Sequence, residues 1–371
     1  MRCFGRLIFL LCLLLPAHFF GQVPSSKAEF PAPLRVGIVG LVHGHVDGFF
    51  RNSLHSPEIQ LMGIAEPDQQ LSIRYASQYR IDRSLLFSSL EEMLQKVHPR
   101  AVLVYTTTYD HRRVVEVCAR HGVHVMMEKP LAVSLDDALA IQRSAQQGNI
   151  NVLVNYETTW YASNRAAYDL VKKGDIGGVR KIVVQDGHQG PKEINVGPEF
   201  LAWLTDPNLD GGGALFDFGC YGADLATWLM DGHRPDSVTA VTQHIKPDVY
   251  PRVDDEATII LTYPTAQAII QASWNWPFGR KDMEVYGQTG YVITVANNEI
   301  RVRRAAGEEE QTSAKRIPAP YDSSLAYFRA VVDGEVKPEG LSSVETNVTV
   351  TEILDAARRS AASGRTIQLT K

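Results

Sequence analysis

Cysteine is scarce in this chain: there are four, and Cys3 and Cys12 lie in the first dozen residues. Only Cys118 and Cys220 remain beyond that point, and two thiols so far apart make neither a disulfide framework nor a metal signature. Strong charge of either sign is also missing, the formal net charge being −5 over 371 residues. That gives no electrostatic drive towards nucleic acid or an anionic membrane. His43, His45, His188 and His244 show no ligand spacing with Cys or Glu, so no metal is expected. Internal repeats and long low-complexity tracts are absent as well.

Long apolar runs are missing too, the longest near the start being Leu7–Leu15. That is well short of the roughly 20 residues a spanning helix needs. Arg2 and Arg6 precede it, and Pro16 and a small-residue stretch to Ala28 follow. This is the layout of an export signal over residues 1–28, and it predicts a periplasmic or secreted protein with no stable membrane insertion after cleavage. Cys12 lacks the preceding small residue of a lipoprotein signal, and the two arginines are not adjacent as twin-arginine export requires. A mis-assigned start would instead leave the protein cytoplasmic.

What remains alternates. Mostly apolar runs at Leu34–Val39, Ile59–Ala65, Ala101–Tyr105 and Val123–Met127 read as strands buried on both faces, and Asn151–Val154 as a further strand. Helical spacing lies between them at 68–79, 89–96, 111–119 and 136–147. Such alternation predicts a doubly wound parallel sheet over residues 34–154. From residue 155 to 371 the pattern changes to strands at 179–187, 237–244, 257–263, 266–274, 282–286 and 299–304. Helices are expected at 163–172, 214–230, 325–332 and 346–361. Short turns such as Pro264-Thr265 predict a largely antiparallel, open-faced sheet. Gln189–Asn208, with three prolines, is expected to be a loop and a lid near a site.

The first strand runs into Gly40-Leu41-Val42-His43-Gly44-His45. This is a degenerate dinucleotide fingerprint, with Val42 and His45 where the second and third glycines stand. Glu66, just beyond the second strand, suits a ribose and disfavours a 2′-phosphate, so NAD is expected over NADP. The third strand ends in Thr106-Thr107-Thr108, with His111 close behind. These threonines either meet the cofactor or cap the next helix. Met127-Glu128-Lys129-Pro130 ends a further strand on the edge where open α/β sheets bind ligands. Burial there is expected to lower the Lys129 pKa. In Gly211–Tyr221 and onward, one helix face carries Asp217, Tyr221, Asp224 and Trp228, and Gly219 and Gly222 imply a close neighbour, either a helix or a flat ring.

Taken together, Thr106-x-Thr108-x-x-His111, Glu128-Lys129-Pro130 and Gly213-Ala214-Leu215-x-Asp217-x-Gly219-x-Tyr221 resemble the glucose–fructose oxidoreductase/inositol dehydrogenase/MocA family. The resemblance implies an N-terminal Rossmann domain and a C-terminal α/β substrate domain that builds a homo-oligomer through its sheet. It implies that Gly40, Val42, His43, Gly44, His45, Glu66, Thr106, Thr107, His111, Glu128 and Lys129 hold NAD. Lys129, Asp217 and Tyr221 would be the catalytic group, and a cis peptide before Pro130 is expected. Tyr221 stands where many members have histidine, as in the glucose–fructose oxidoreductase and dihydrodiol dehydrogenase branches. Asn155–Tyr161 replaces a segment that carries an arginine in many members.

The implied activity is oxidation or reduction of a secondary alcohol on a sugar, cyclitol or related polyol. One alternative is a redox glycosidase or lyase that recycles its own NAD. The other is a secreted nucleotide- or sugar-binding protein without activity. Trp274, Trp276 and Tyr263 are expected on the open sheet face, at an oligomer interface or under a sugar. Asn347-Val348-Thr349 matches a glycosylation sequon but falls in an expected helix.

Overall fold

The structure, a computed structural model, describes residues 32–369. The expected export segment lies outside them. Among the described residues no helix is long and apolar enough to cross a membrane.

Six parallel strands form the first sheet: β1 (Leu34–Val39), β2 (Ile59–Ala65), β3 (Leu86–Phe87), β4 (Ala101–Val104), β5 (His124–Glu128) and β6 (Val152–Asn155). Their order is β3-β2-β1-β4-β5-β6, so the order reverses between β1 and β4. Apolar residues such as Val36, Ile38, Leu103 and Val125 are fully covered because helices pack on both faces. The two-residue β3 is too short to show a period in the sequence.

The second sheet has nine strands: β7 (Val179–Gly187), β8 (Ser237–Gln243), β9 (Glu256–Thr262), β10 (Gln267–Ser273), β11 (Arg280–Gly287), β12 (Gly290–Val295), β13 (Glu299–Arg304), β14 (Glu310–Ser313) and β15 (Ile367–Gln368). Every neighbouring pair is antiparallel except β10 and β7, which run parallel. β12, β14 and β15 go beyond the six strands expected from sequence, and β12 is the return of a tight hairpin at Gln288-Thr289.

Three expectations need correction. The helix expected over 214–230 is interrupted at Phe218, giving Ala214–Asp217 and Gly219–Leu229. The carbonyl of Asp217, which would continue the ladder, accepts from Lys129 Nζ at 2.9 Å instead. Gly219 and Gly222 face neither a ring nor a helix alone. A Cβ at Gly222 would lie 2.4 Å from Ile270 Cγ2 of β10, and one at Gly219 would lie 3.1 Å from Ile259 Cδ1 of β9. The glycines let this helix sit directly on the sheet. Trp274 and Tyr263 are buried beneath the helices rather than displayed on the open face, and Trp276 is half-buried.

The helix Ser324–Val332 crosses the expected boundary, since Tyr327, Phe328 and Val331 join the core formed by Val36 and Ile38 of β1. Asn347 is fully buried, accepts from the Tyr156 hydroxyl at 2.8 Å and does not present its sequon to solvent.

Candidate active site

Parallel strands all end on one edge, so β1, β2, β4 and β5 deliver their following residues to one place. Gly40 has φ +80, and a Cβ there would meet the backbone of Tyr105 and Thr106 at 2.9 Å. Only glycine suits this turn. Glu66 is buried, with its two carboxylate oxygens accepting from the amides of Leu41 (2.8 Å) and Asp68 (2.9 Å). Burial raises its pKa against those hydrogen bonds. His43 Nδ1 accepts from the His45 amide at 3.1 Å, and burial, then the charges of His45 and Lys129, hold its pKa well below the usual value. His43 is therefore neutral at physiological pH.

The expected loop 189–208 contains a helix, Pro198–Leu204, that packs over this turn. The His43 ring lies 4.6 Å from that of Phe200, and Trp203 Nε1 donates to the Val42 carbonyl at 3.2 Å. Gly44 lies against Phe200 as well.

Thr107 caps the turn at Thr108–Asp110, accepting from the Asp110 amide, and the Thr106 hydroxyl donates to the Thr107 carbonyl. His111 Nδ1 pairs with the Leu131 carbonyl at 3.2 Å. Its Nε2, and the hydroxyl of buried Thr108, have no hydrogen-bond partner among the described residues. A dinucleotide fits this set: the glycine turn leads into a helix that begins at His45, an acid closes β2, and the buried polar atoms of His111 and Thr108 remain for a ligand. The turn Gly40–His45, Glu66, Thr106, Thr107, His111, Glu128 and Lys129 would hold it.

Glu128 is buried, with Oε2 2.9 Å from His45 Nδ1 and Oε1 accepting from Asn155 at 3.1 Å. Burial acts to raise its pKa, but His45 and Asn155 outweigh it and hold the carboxyl below the usual range. The ligand atoms of His43, His45 and Glu128 lie within 4.8 Å of one another, a grouping that linear spacing did not reveal. In this structure His45 Nδ1 is paired with Glu128 Oε2, and His43 Nδ1 accepts from the backbone amide of His45.

Lys129 follows through a cis peptide to Pro130. Its ammonium is buried and donates to both the carbonyl and the carboxylate of Asp217. The second Asp217 oxygen accepts from Trp274 Nε1 at 2.9 Å. Burial alone would lower the Lys129 pKa, as expected from sequence, but attraction to Asp217 overturns this and raises it. Asp217 is held below the usual carboxylate range because Lys129 outweighs the cost of its burial. The Tyr221 ring lies between two ammoniums, 5.2 Å from Lys129 Nζ and 4.6 Å from Lys281 Nζ. Burial pushes its hydroxyl pKa well up. A cavity of about 560 Å³ opens onto His43, Lys129, His188, Asp217, Tyr221 and Lys281.

Residues 34–156 match the family described as "Oxidoreductase family, NAD-binding Rossmann fold", and residues 164–293 match the "GFO/IDH/MocA C-terminal domain". The chain belongs to the Gfo/Idh/MocA family of oxidoreductases. It is 25% identical over 295 residues to 1,5-anhydro-D-fructose reductase of Ensifer adhaerens, covering 74% of this chain and 83% of that one. It is 27% identical over 189 residues to trans-1,2-dihydrobenzene-1,2-diol dehydrogenase of Xenopus tropicalis, covering 51% of this chain and only 54% of that one. An inositol dehydrogenase homolog from Azotobacter vinelandii, solved with NAD+, shares the fold with a TM-score of 0.79 at 18% identity, covering 92% of this chain and 98% of that one.

The oxidoreductase fold thus brings Lys129, Asp217 and Tyr221 together and sets the Gly40–His45 turn beside them. Asp224 and Trp228, on the same expected face, go elsewhere. Asp224 is fully buried with neither oxygen partnered among the described residues, and Trp228 stacks on Tyr168 at 3.9 Å. Sequence reasoning missed Lys281, Glu157 and the bond from Trp274. A signal existed for Lys281, which is in phase with the inward-facing Met283 and Val285 of β11.

Proposed function

We propose that this oxidoreductase interconverts a secondary alcohol and a ketone on a sugar, cyclitol or related polyol. One observation carries the reading: a buried ammonium, fixed twice by Asp217 and set against the Tyr221 ring, faces a cavity of about 560 Å³ at the ligand-binding edge of the parallel sheet. Two of the three Lys129 protons are spent on Asp217, leaving one for the substrate oxygen. With its raised pKa Lys129 stays charged and polarises that oxygen, while the Tyr221 hydroxyl carries the proton. NAD, held at the glycine turn, supplies hydride transfer. The anhydrofructose reductase and the inositol dehydrogenase homolog support a polyol as the substrate class.

A second reading, a redox glycosidase or lyase that returns its hydride, draws support from the lid. Phe200 and Trp203 cover the turn, which suits a cofactor that stays in place. Incubating the protein with NAD and a panel of polyols and glycosides separates the two. Stoichiometric NADH supports the first, and glycoside cleavage without net NADH supports the second. A Lys129→Met variant that kept full turnover would overturn both.

We further propose export, on the composition of residues 1–28, and a homo-oligomer formed through the outer face of the nine-stranded sheet. Val183, Ile260 and Ile269 sit in one row there, half-buried and apolar.

A further inference from the structure

Oxidising a hydroxyl beside Tyr221 releases a proton as well as a hydride, and Tyr221 is only 2% exposed. The proton therefore needs a route to water. Tyr156 and Phe218 cover the Tyr221 ring with aromatic surface. The Tyr221 hydroxyl has one side-chain hydrogen-bond neighbour among the described residues, the ammonium of Lys281 at 3.5 Å. That is long for a hydrogen bond, as catalytic ones often are until a ligand tightens the site.

Lys281 in turn donates to the carboxylate of Glu157. The Glu157 side chain is 53% exposed, and its other oxygen accepts from the Tyr161 hydroxyl at 2.6 Å. Three links thus lead from a buried phenol to solvent. Asp186 faces Lys281 across the β7–β11 ladder. It is buried with neither oxygen partnered among the described residues, and burial pushes its pKa well up. The Lys281 ammonium makes its carboxylate hydrogen bond to Glu157 and not to Asp186.

We propose that Tyr221, Lys281 and Glu157 form the proton exit of this active site, an inference that rests on the alcohol–ketone reading above. As the substrate C–H gives its hydride to oxidised nicotinamide, the hydroxyl proton passes to the Tyr221 oxygen. One Lys281 ammonium proton passes to the Glu157 carboxylate, and the amine this leaves takes the phenol proton. Tyr221 and Lys281 end as they began, and Glu157 releases the proton to water. Reduction runs the same chain inward. Lys281 acts through Tyr221, and Glu157 through Lys281.

The test uses the full chain with NAD and whichever of myo-inositol, D-glucose and 1,5-anhydro-D-glucitol the wild type oxidises fastest. Lys281→Ala is expected to lose about 100-fold in kcat with little change in KM, in line with a lost proton-transfer group. Ethylamine added to the buffer should restore about tenfold of that loss by replacing the missing amine. Lys281→Arg, which keeps the charge but cannot give up a proton, should stay as slow as the alanine variant. Glu157→Gln should raise the solvent isotope effect on kcat. NADH fluorescence on binding should match the wild type in all three variants. A fully active Lys281→Arg, an alanine variant indifferent to ethylamine, or lost NADH binding would each overturn the relay and make Lys281 structural. A wild type that oxidises none of the three polyols would overturn the alcohol–ketone reading, and the relay with it.

Discussion

Lys129 and Asp217, 88 residues apart, are joined twice, through the backbone carbonyl and through the carboxylate of the aspartate. The first contact breaks a helix, and the second keeps a buried lysine charged. Both partners are largely shielded from solvent, at 7% and 8% side-chain exposure.

Asp217→Asn tests that pair through pH. In the wild type the lowered Asp217 pKa contributes stability above the unfolded carboxylate value, and this is lost as pH falls through the folded value. The raised Lys129 pKa contributes below the unfolded lysine value and is lost as pH rises through the folded one. Without its counter-charge, buried Lys129 falls below its unfolded pKa of about 10.4, and the unfolded chain then binds the extra proton. Urea unfolding should show the variant about 3–5 kcal/mol less stable at neutral pH. It should also gain stability towards mildly alkaline pH, where the wild type does not.

Trp274→Phe removes the donor to the second Asp217 oxygen and leaves a buried carboxylate atom unpaired. A loss of about 1–3 kcal/mol in urea unfolding is expected. A smaller fall in turnover than that of Lys129→Met should accompany it, since Trp274 acts through Asp217.

Gly40→Ala should weaken both the fold and the cofactor site. At φ +80 a side chain costs about 1–2 kcal/mol, and its Cβ would press on the backbone of Tyr105 and Thr106. A lower melting temperature and weaker NADH binding by fluorescence titration are the expected results. NADH binding at wild-type strength would separate this turn from the cofactor.

Gly222→Ala probes how the helix that carries Tyr221 packs on the second sheet. The new methyl would start 2.4 Å from Ile270 Cγ2, forcing the helix off β10. Overpacking of this kind costs about 1–3 kcal/mol, readable in thermal melting with NADH affinity unchanged.

Much of this was legible in the chain itself. The five long strands of the first sheet show as mostly apolar runs because most of their positions are covered on both faces. Their shared direction already placed the glycine turn, Glu66 and Lys129 on one edge. Trp274 was misplaced although its phase with Ala268, Ile270 and Ala272 marks the inward face. The helix-covered side of the sheet was not identified in advance, so the phase alone did not assign it.

The sequence by itself determined the parallel sheet and the edge on which Lys129 stands, since these follow from local periodicity and from where strands end. Only the tertiary structure decided what Lys129 does. Its charge state depends on Asp217, the hold on Asp217 depends on Trp274, and the outlet for Tyr221 depends on Lys281. Those partners lie 88, 57 and 60 residues away along the chain, so only the packing of the helices onto the second sheet brings their charges within reach.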